Sequence, residues 1–108
     1  MIVDYRIYTL NVGSVPKFLE LFEDVGLPIQ KKILGNFLAM FRHEFGNTNE
    51  LIHMWGYENL QERERRRAEC AKNETFLNYV KEARQYIIKQ EVRLLIPTAS
   101  SPILGIKQ

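Results

Sequence analysis

Asn49–Asn59 reads NELIHMWGYEN, and its alternation decides the fold. Side chains on a strand point to opposite faces in turn, so Leu51, His53, Trp55 and Tyr57 share one side. Glu50, Ile52, Met54 and Gly56 share the other. Neither side is simply polar. The stretch is therefore expected to be a strand covered on both faces, near the middle of a sheet.

Working outward, Ile2–Thr9 alternates as Val3, Tyr5, Ile7 against Asp4, Arg6, Tyr8 and reads as another strand. Asn11–Gly13 breaks it, Ser14 stands as an N-cap, and Pro16 falls in a helix's first turn, where a missing N–H is tolerated. Val15, Phe18, Leu19, Phe22 and Val25 make an apolar stripe. Gly26 and Pro28 are expected to bend or interrupt that helix, leaving a shorter piece over Pro28–Leu34 closed by Gly35. Asn36–Phe45 is the second strand, and Gly46–Asn49 a turn.

Beyond the central strand, Asn59 caps a charged helix, QERERRRAECAK, with Glu62 at the capping-box position. Asn73 restarts a helix whose stripe is Phe76, Tyr79, Val80, Ala83 and Ile87. Lys89–Ile96 is the last strand, ended by Pro97. The order is β-α-β-β-α-β, an α+β ferredoxin-like fold with an antiparallel four-stranded sheet. The domain spans residues 1–98, and 99–108 forms a tail whose Ile103, Leu104 and Ile106 are expected to rest on something.

Val3, Tyr5, Ile7, Ile52, Met54, Val92 and Leu94 are expected beneath the helices. That leaves Asp4, Arg6, Tyr8, Leu51, His53, Trp55, Tyr57, Glu91, Arg93 and Leu95 on the open face. A bare patch of this kind is unusual on a monomer. A tryptophan alone buries on the order of 200 Å², roughly 5 kcal/mol. The expectation is a homodimer whose two sheets stack indole side inward and enclose a cavity.

The 108 residues make one domain, and 45% hydrophobic with 26% charged residues is ordinary globular composition. A net charge of +2 does not single out nucleic acid or an anionic membrane. Cys70 stands alone, which excludes an internal disulfide or a multi-cysteine metal site and fits a reducing cytoplasm. Nothing approaches the roughly 20 apolar residues that span a bilayer. Asp4 and Arg6 rule the opening out as a signal peptide, so the expected location is cytoplasmic. Glycine-rich phosphate loops, HExxH and paired catalytic carboxylates are all missing from the sequence.

The segments YRIYTL (5–10), GSVPKFLELFEDVGLP (13–28), LIHMWGYENLQERERRR (51–67) and QEVRLLIPT (90–98) together resemble the NIPSNAP family, over about residues 2–98. The resemblance implies the dimeric α/β-barrel form of the ferredoxin-like fold. Eukaryotic members are linked with mitochondria and vesicle trafficking, and the family offers no agreed catalytic residues to carry over. Arg6, Tyr8, His53, Trp55, Glu91 and Arg93 match its recurrent pattern and are the ligand-pocket candidates.

His53 is the catalytic candidate, as acid, base or haem ligand beside an indole wall. Its bland counterpart is a buried histidine bonded to a carboxylate, with Trp55 as interface core. Arg6, Glu91 and Arg93 would hold an anion or, with Asp4, merely pair across strands. In Glu62–Arg67, i,i+3 and i,i+4 pairs account for the charges as a solvent face. Haem is the one cofactor option and no metal is expected. Three functions compete. One is a dimer holding a small anionic or aromatic molecule, oxygenase- or isomerase-like by fold analogy. Another is a non-catalytic protein-interaction module. RNA binding ranks last, because the third strand lacks the RNP pattern.

Overall fold

The computed structural model describes residues 1–102, so the tail residues Ile103, Leu104 and Ile106 lie outside the described residues. The elements are β1 (Ile2–Leu10), α1 (Val15–Leu21), a π-helical turn (Phe22–Gly26) and α2 (Leu27–Leu34). They continue with β2 (Asn36–Arg42), β3 (Glu50–Tyr57), α3 (Leu60–Lys72), α4 (Glu74–Ala83), a 3-10 turn (Arg84–Tyr86) and β4 (Ile87–Leu95). The antiparallel sheet runs β2-β3-β1-β4, with β3 and β1 central.

Local chemistry sets most boundaries. The Asn59 side chain accepts from the Glu62 amide at 2.8 Å and the Asn73 side chain from that of Phe76 at 2.9 Å, starting α3 and α4. The Glu62 carboxylate does not complete a capping box; it lies 3.3 Å from Arg66. Ser14 precedes α1 without a side-chain cap. The second strand stops at Arg42 rather than Phe45. His43 leaves it and meets the Glu50 carboxylate at 2.9 Å, across a loop turned by Gly46 at positive φ.

Gly26 and Pro28 do not interrupt the first helix. It widens instead. Phe18, Phe22, Gly26, Gln30 and Leu34 are all buried, a ladder of four-residue steps. At 3.6 residues per turn such a ladder drifts about 40° per step around the axis. The wider turn, closed by the Leu27 amide on the Phe22 carbonyl, reverses part of that drift. Pro28, which has no N–H to give, follows directly.

The face assignment is inverted for β1 and β3 and holds for β4. Trp55 and Tyr57 are each 1% exposed and pack with Leu34 and Cys70. Leu51 joins Leu10, Phe18, Phe22, Tyr79 and Ala83 in a second cluster. The indole side thus lies beneath the helices, whose own rings (Phe18, Phe22, Phe76, Tyr79) match it. Val3, Tyr5, Ile52 and Met54 occupy the open side.

The register also separates the last strand's candidates. Tyr5 faces Arg93 and Ile7 faces Glu91, so both charges sit on the open side, while Arg6 pairs with Val92. Asp4, fully buried on the helix side, explains the inversion. Arg6 Nε and Nη2 donate to it at 2.9 and 3.3 Å, and Arg63 Nε of α3 donates at 2.9 Å. Three charge-assisted bonds make its burial tolerable.

Candidate functional site

A cavity of about 230 Å³ lies between the sheet and the helices, within one chain rather than between two sheets. β1 supplies Arg6 and Tyr8, β3 supplies His53 and Trp55, α2 supplies Gln30 and α3 supplies Arg67. Phe18, Phe76 and Tyr79 complete an aromatic wall, with Arg84 and Gln90 at the exposed rim. Four of the six sequence candidates (Arg6, Tyr8, His53, Trp55) therefore meet here. Glu91 and Arg93 do not: they face away and pair with each other at 3.2 Å.

The electrostatics favour an anion. Asp4 is shared by Arg6 and Arg63. Burial would raise its pKa, but the two guanidinium groups outweigh that and hold it below the usual carboxylate range. Burial likewise opposes the charge on Arg6, and Tyr8 and Asp4 more than compensate. For Arg67 the attraction of Asp4 and Tyr57 falls short. Arg67 is half-buried, and among the described residues no carboxylate comes within ion-pair distance of it. Burial, then the neighbouring Arg6, lowers its pKa. Asp4 is thus matched by Arg6 and by Arg63, which also pairs with Glu64, and Arg67 leaves the cavity a positive surplus.

His53 is 2% exposed, with Tyr8 edge-on at 4.7 Å and Phe22 at 5.9 Å. Burial, followed by repulsion from Arg6, lowers its pKa to about 3, so the ring is neutral at physiological pH. Trp55 Nε1 donates to His53 Nδ1 at 3.3 Å. Nδ1 is then an acceptor, and the ring proton sits on Nε2. Nε2 is buried and has no partner, and neither has Gln30 Oε1. Both residues line the cavity.

This arrangement does not fit haem ligation. A metal-bound histidine donates from its second nitrogen, whereas here that nitrogen accepts and Nε2 carries the proton. Among the described residues no group of three or more His, Cys, Asp or Glu side chains is placed to hold a metal ion. The RNA-platform reading also fails, because the helices cover Trp55 and Tyr57.

Gln30, Arg63, Arg67 and Arg84 escaped the sequence reading. The signal for two of them was present. Leu60, Arg63, Arg67 and Cys70 recur at the spacing of an inward stripe, inside a run otherwise read as a solvated face. Gln30 is the third step of the ladder from Phe18. Nothing in the sequence marked Arg84.

A search of curated proteins returns no match. Among solved structures, a NIPSNAP family protein of Agrobacterium tumefaciens strain C58 is 36% identical with a TM-score of 0.90, covering 94% of this chain and 89% of that one. An uncharacterised NIPSNAP-like domain protein of Burkholderia xenovorans is 33% identical with a TM-score of 0.89, over 99% and 94%. A putative antibiotic biosynthesis monooxygenase of Nitrosomonas europaea, 7% identical with a TM-score of 0.68 over 90% and 98%, shares the fold alone. No helix among the described residues is long and apolar enough to cross a membrane. The NIPSNAP family profile matches residues 3–102, and the chain belongs to that family.

Proposed function

We propose that the protein binds a small organic anion with an apolar or aromatic body in the cavity beneath its helices. One observation carries this reading: Arg67, a guanidinium without a carboxylate, lines the same enclosed space as the Trp55 ring. A carboxylate or phosphate there would restore the charge balance, and the aromatic wall would cover the rest of the molecule. A neutral His53 suits holding a ligand by hydrogen bond rather than drawing a proton from it at neutral pH. The monooxygenase likeness is one of fold and lends no activity to these residues.

Trp55 is the one tryptophan of the chain and lines the cavity, so its emission reports occupancy. Titration with benzoate, phenylacetate and aliphatic carboxylates should give a saturable change for at least one of them. Replacing Arg67→Gln should weaken it roughly 10- to 100-fold, the range for a charged hydrogen bond. A flat response to every acid would overturn the proposal.

We further infer that two copies associate through the open sheet face. An apolar groove of about 430 Å³ crosses it, lined by Val3, Tyr5, Leu38, Met54, Leu95 and Ile96. Leu95 is 41% and Ile96 72% exposed there. Water is a poor cover for such a surface. A single buried free thiol, Cys70, supports a cytoplasmic setting.

A further inference from the structure

Two buried polar atoms in the cavity have no use in the fold. The Trp55 indole fixes the His53 tautomer, which leaves an Nε2–H donor without an acceptor. Gln30 Oε1, on a side chain 9% exposed, is an acceptor without a donor. Buried polar groups are nearly always paired, and leaving two unpaired in one small space costs stability. Their opposite polarity is informative. A bare carboxylate would answer His53 but not Gln30, since it has no proton to give. An ammonium group would answer Gln30 but not His53, and Arg67 would repel it. A hydroxyl answers both, accepting from Nε2 and donating to Oε1.

We propose that the natural occupant is a hydroxylated organic acid, its hydroxyl held between His53 and Gln30 and its acid group drawn to Arg67. This rests on the anion-binding reading above and specifies the ligand class for that site. It also assigns the residues distinct jobs. Arg67 supplies affinity for acids in general. The His53–Gln30 pair selects among them, because an analogue without the hydroxyl leaves both atoms unpaired. Trp55 acts through His53 as a positioning residue, since removing its N–H frees the imidazole to place its proton on Nδ1 instead.

The experiment compares matched probes by Trp55 fluorescence: phenylacetate against mandelate and the three ring-hydroxylated phenylacetates. At least one hydroxylated acid should bind roughly tenfold tighter than phenylacetate, the worth of one to two buried hydrogen bonds. Gln30→Leu should remove that preference, lowering the affinity for the hydroxylated acid roughly tenfold relative to phenylacetate. If phenylacetate binds and no hydroxylated acid exceeds it, the hydroxyl assignment falls and the anion site stands. If no acid binds, both fall. A preference that survives Gln30→Leu unchanged overturns the role given to Gln30. Should that variant not fold, the comparison on the wild-type protein still decides the matter.

Discussion

His53 illustrates how burial rewrites a side chain's chemistry. Its folded pKa lies near 3, against 6.5 in the open chain, so protonation favours the unfolded state across that interval. The neutral ring is fully accommodated above pH 6.5, and stability falls as the pH drops from there toward 3. The whole effect is of order 4–5 kcal/mol at the acid end. Denaturation midpoints measured from pH 7 to pH 4 should therefore decline, and His53→Asn, which cannot titrate, should flatten much of the decline. An equally steep fall in the variant would assign the acid sensitivity elsewhere. The pairing of His53 with Trp55 and of Arg6 with Tyr8 was legible in the sequence, because strand alternation alone groups them. The partners of Asp4 were not, since Arg63 lies 59 positions away and reaches it only once α3 is docked.

At the scale of elements, the widened turn at Phe22–Gly26 sets the inward ladder of the first helix. Gly26 has ordinary helical dihedrals, so its lack of a side chain serves space rather than backbone freedom. A Cβ there would fall 2.4 Å from Cζ of Tyr79, a cavity-lining ring. Gly26→Ala should cost about 1–3 kcal/mol as overpacking, despite alanine's better helix propensity. Urea denaturation of the double variant with Tyr79→Leu should show less loss than the two single changes summed. Strict additivity would refute the clash. The order of elements and the cap at Asn59 follow from local signals, and both were legible. The π turn was not, because glycine and proline together read as a break.

For the molecule as a whole, the inverted faces are the main lesson. Alternation fixes which residues share a side within a strand, but not which side the helices choose or how β4 pairs. A slip of one residue in pairing exchanges every partner. Aliphatic Val3, Ile52 and Met54 looked like core, and the rings with their buried charges looked like an interface. The helices carry rings and arginines of their own, and that match decided the outcome. Light scattering at micromolar concentration should give the mass of two protomers. Met54→Lys together with Leu95→Lys on the open face should give one, with the far-UV spectrum retained. A wild-type mass of one protomer across that range would refute the association.

The ladder from Phe18 to Leu34 also constrains how this chain can vary in length. Losing a single position inside Phe22–Gly26 would close the wide turn to a regular α-helix and keep the downstream faces, but a loss within α1 would turn everything downstream by about 100°. Gln30 would swing away from the ligand and Leu34 out of contact with Trp55, although both stay in the sequence. Tolerance of insertions and deletions should therefore concentrate in the Gly46 loop, and relatives that bind the same molecule should keep the spacing between Phe18 and Gln30, or shorten it by the one position that the wide turn absorbs.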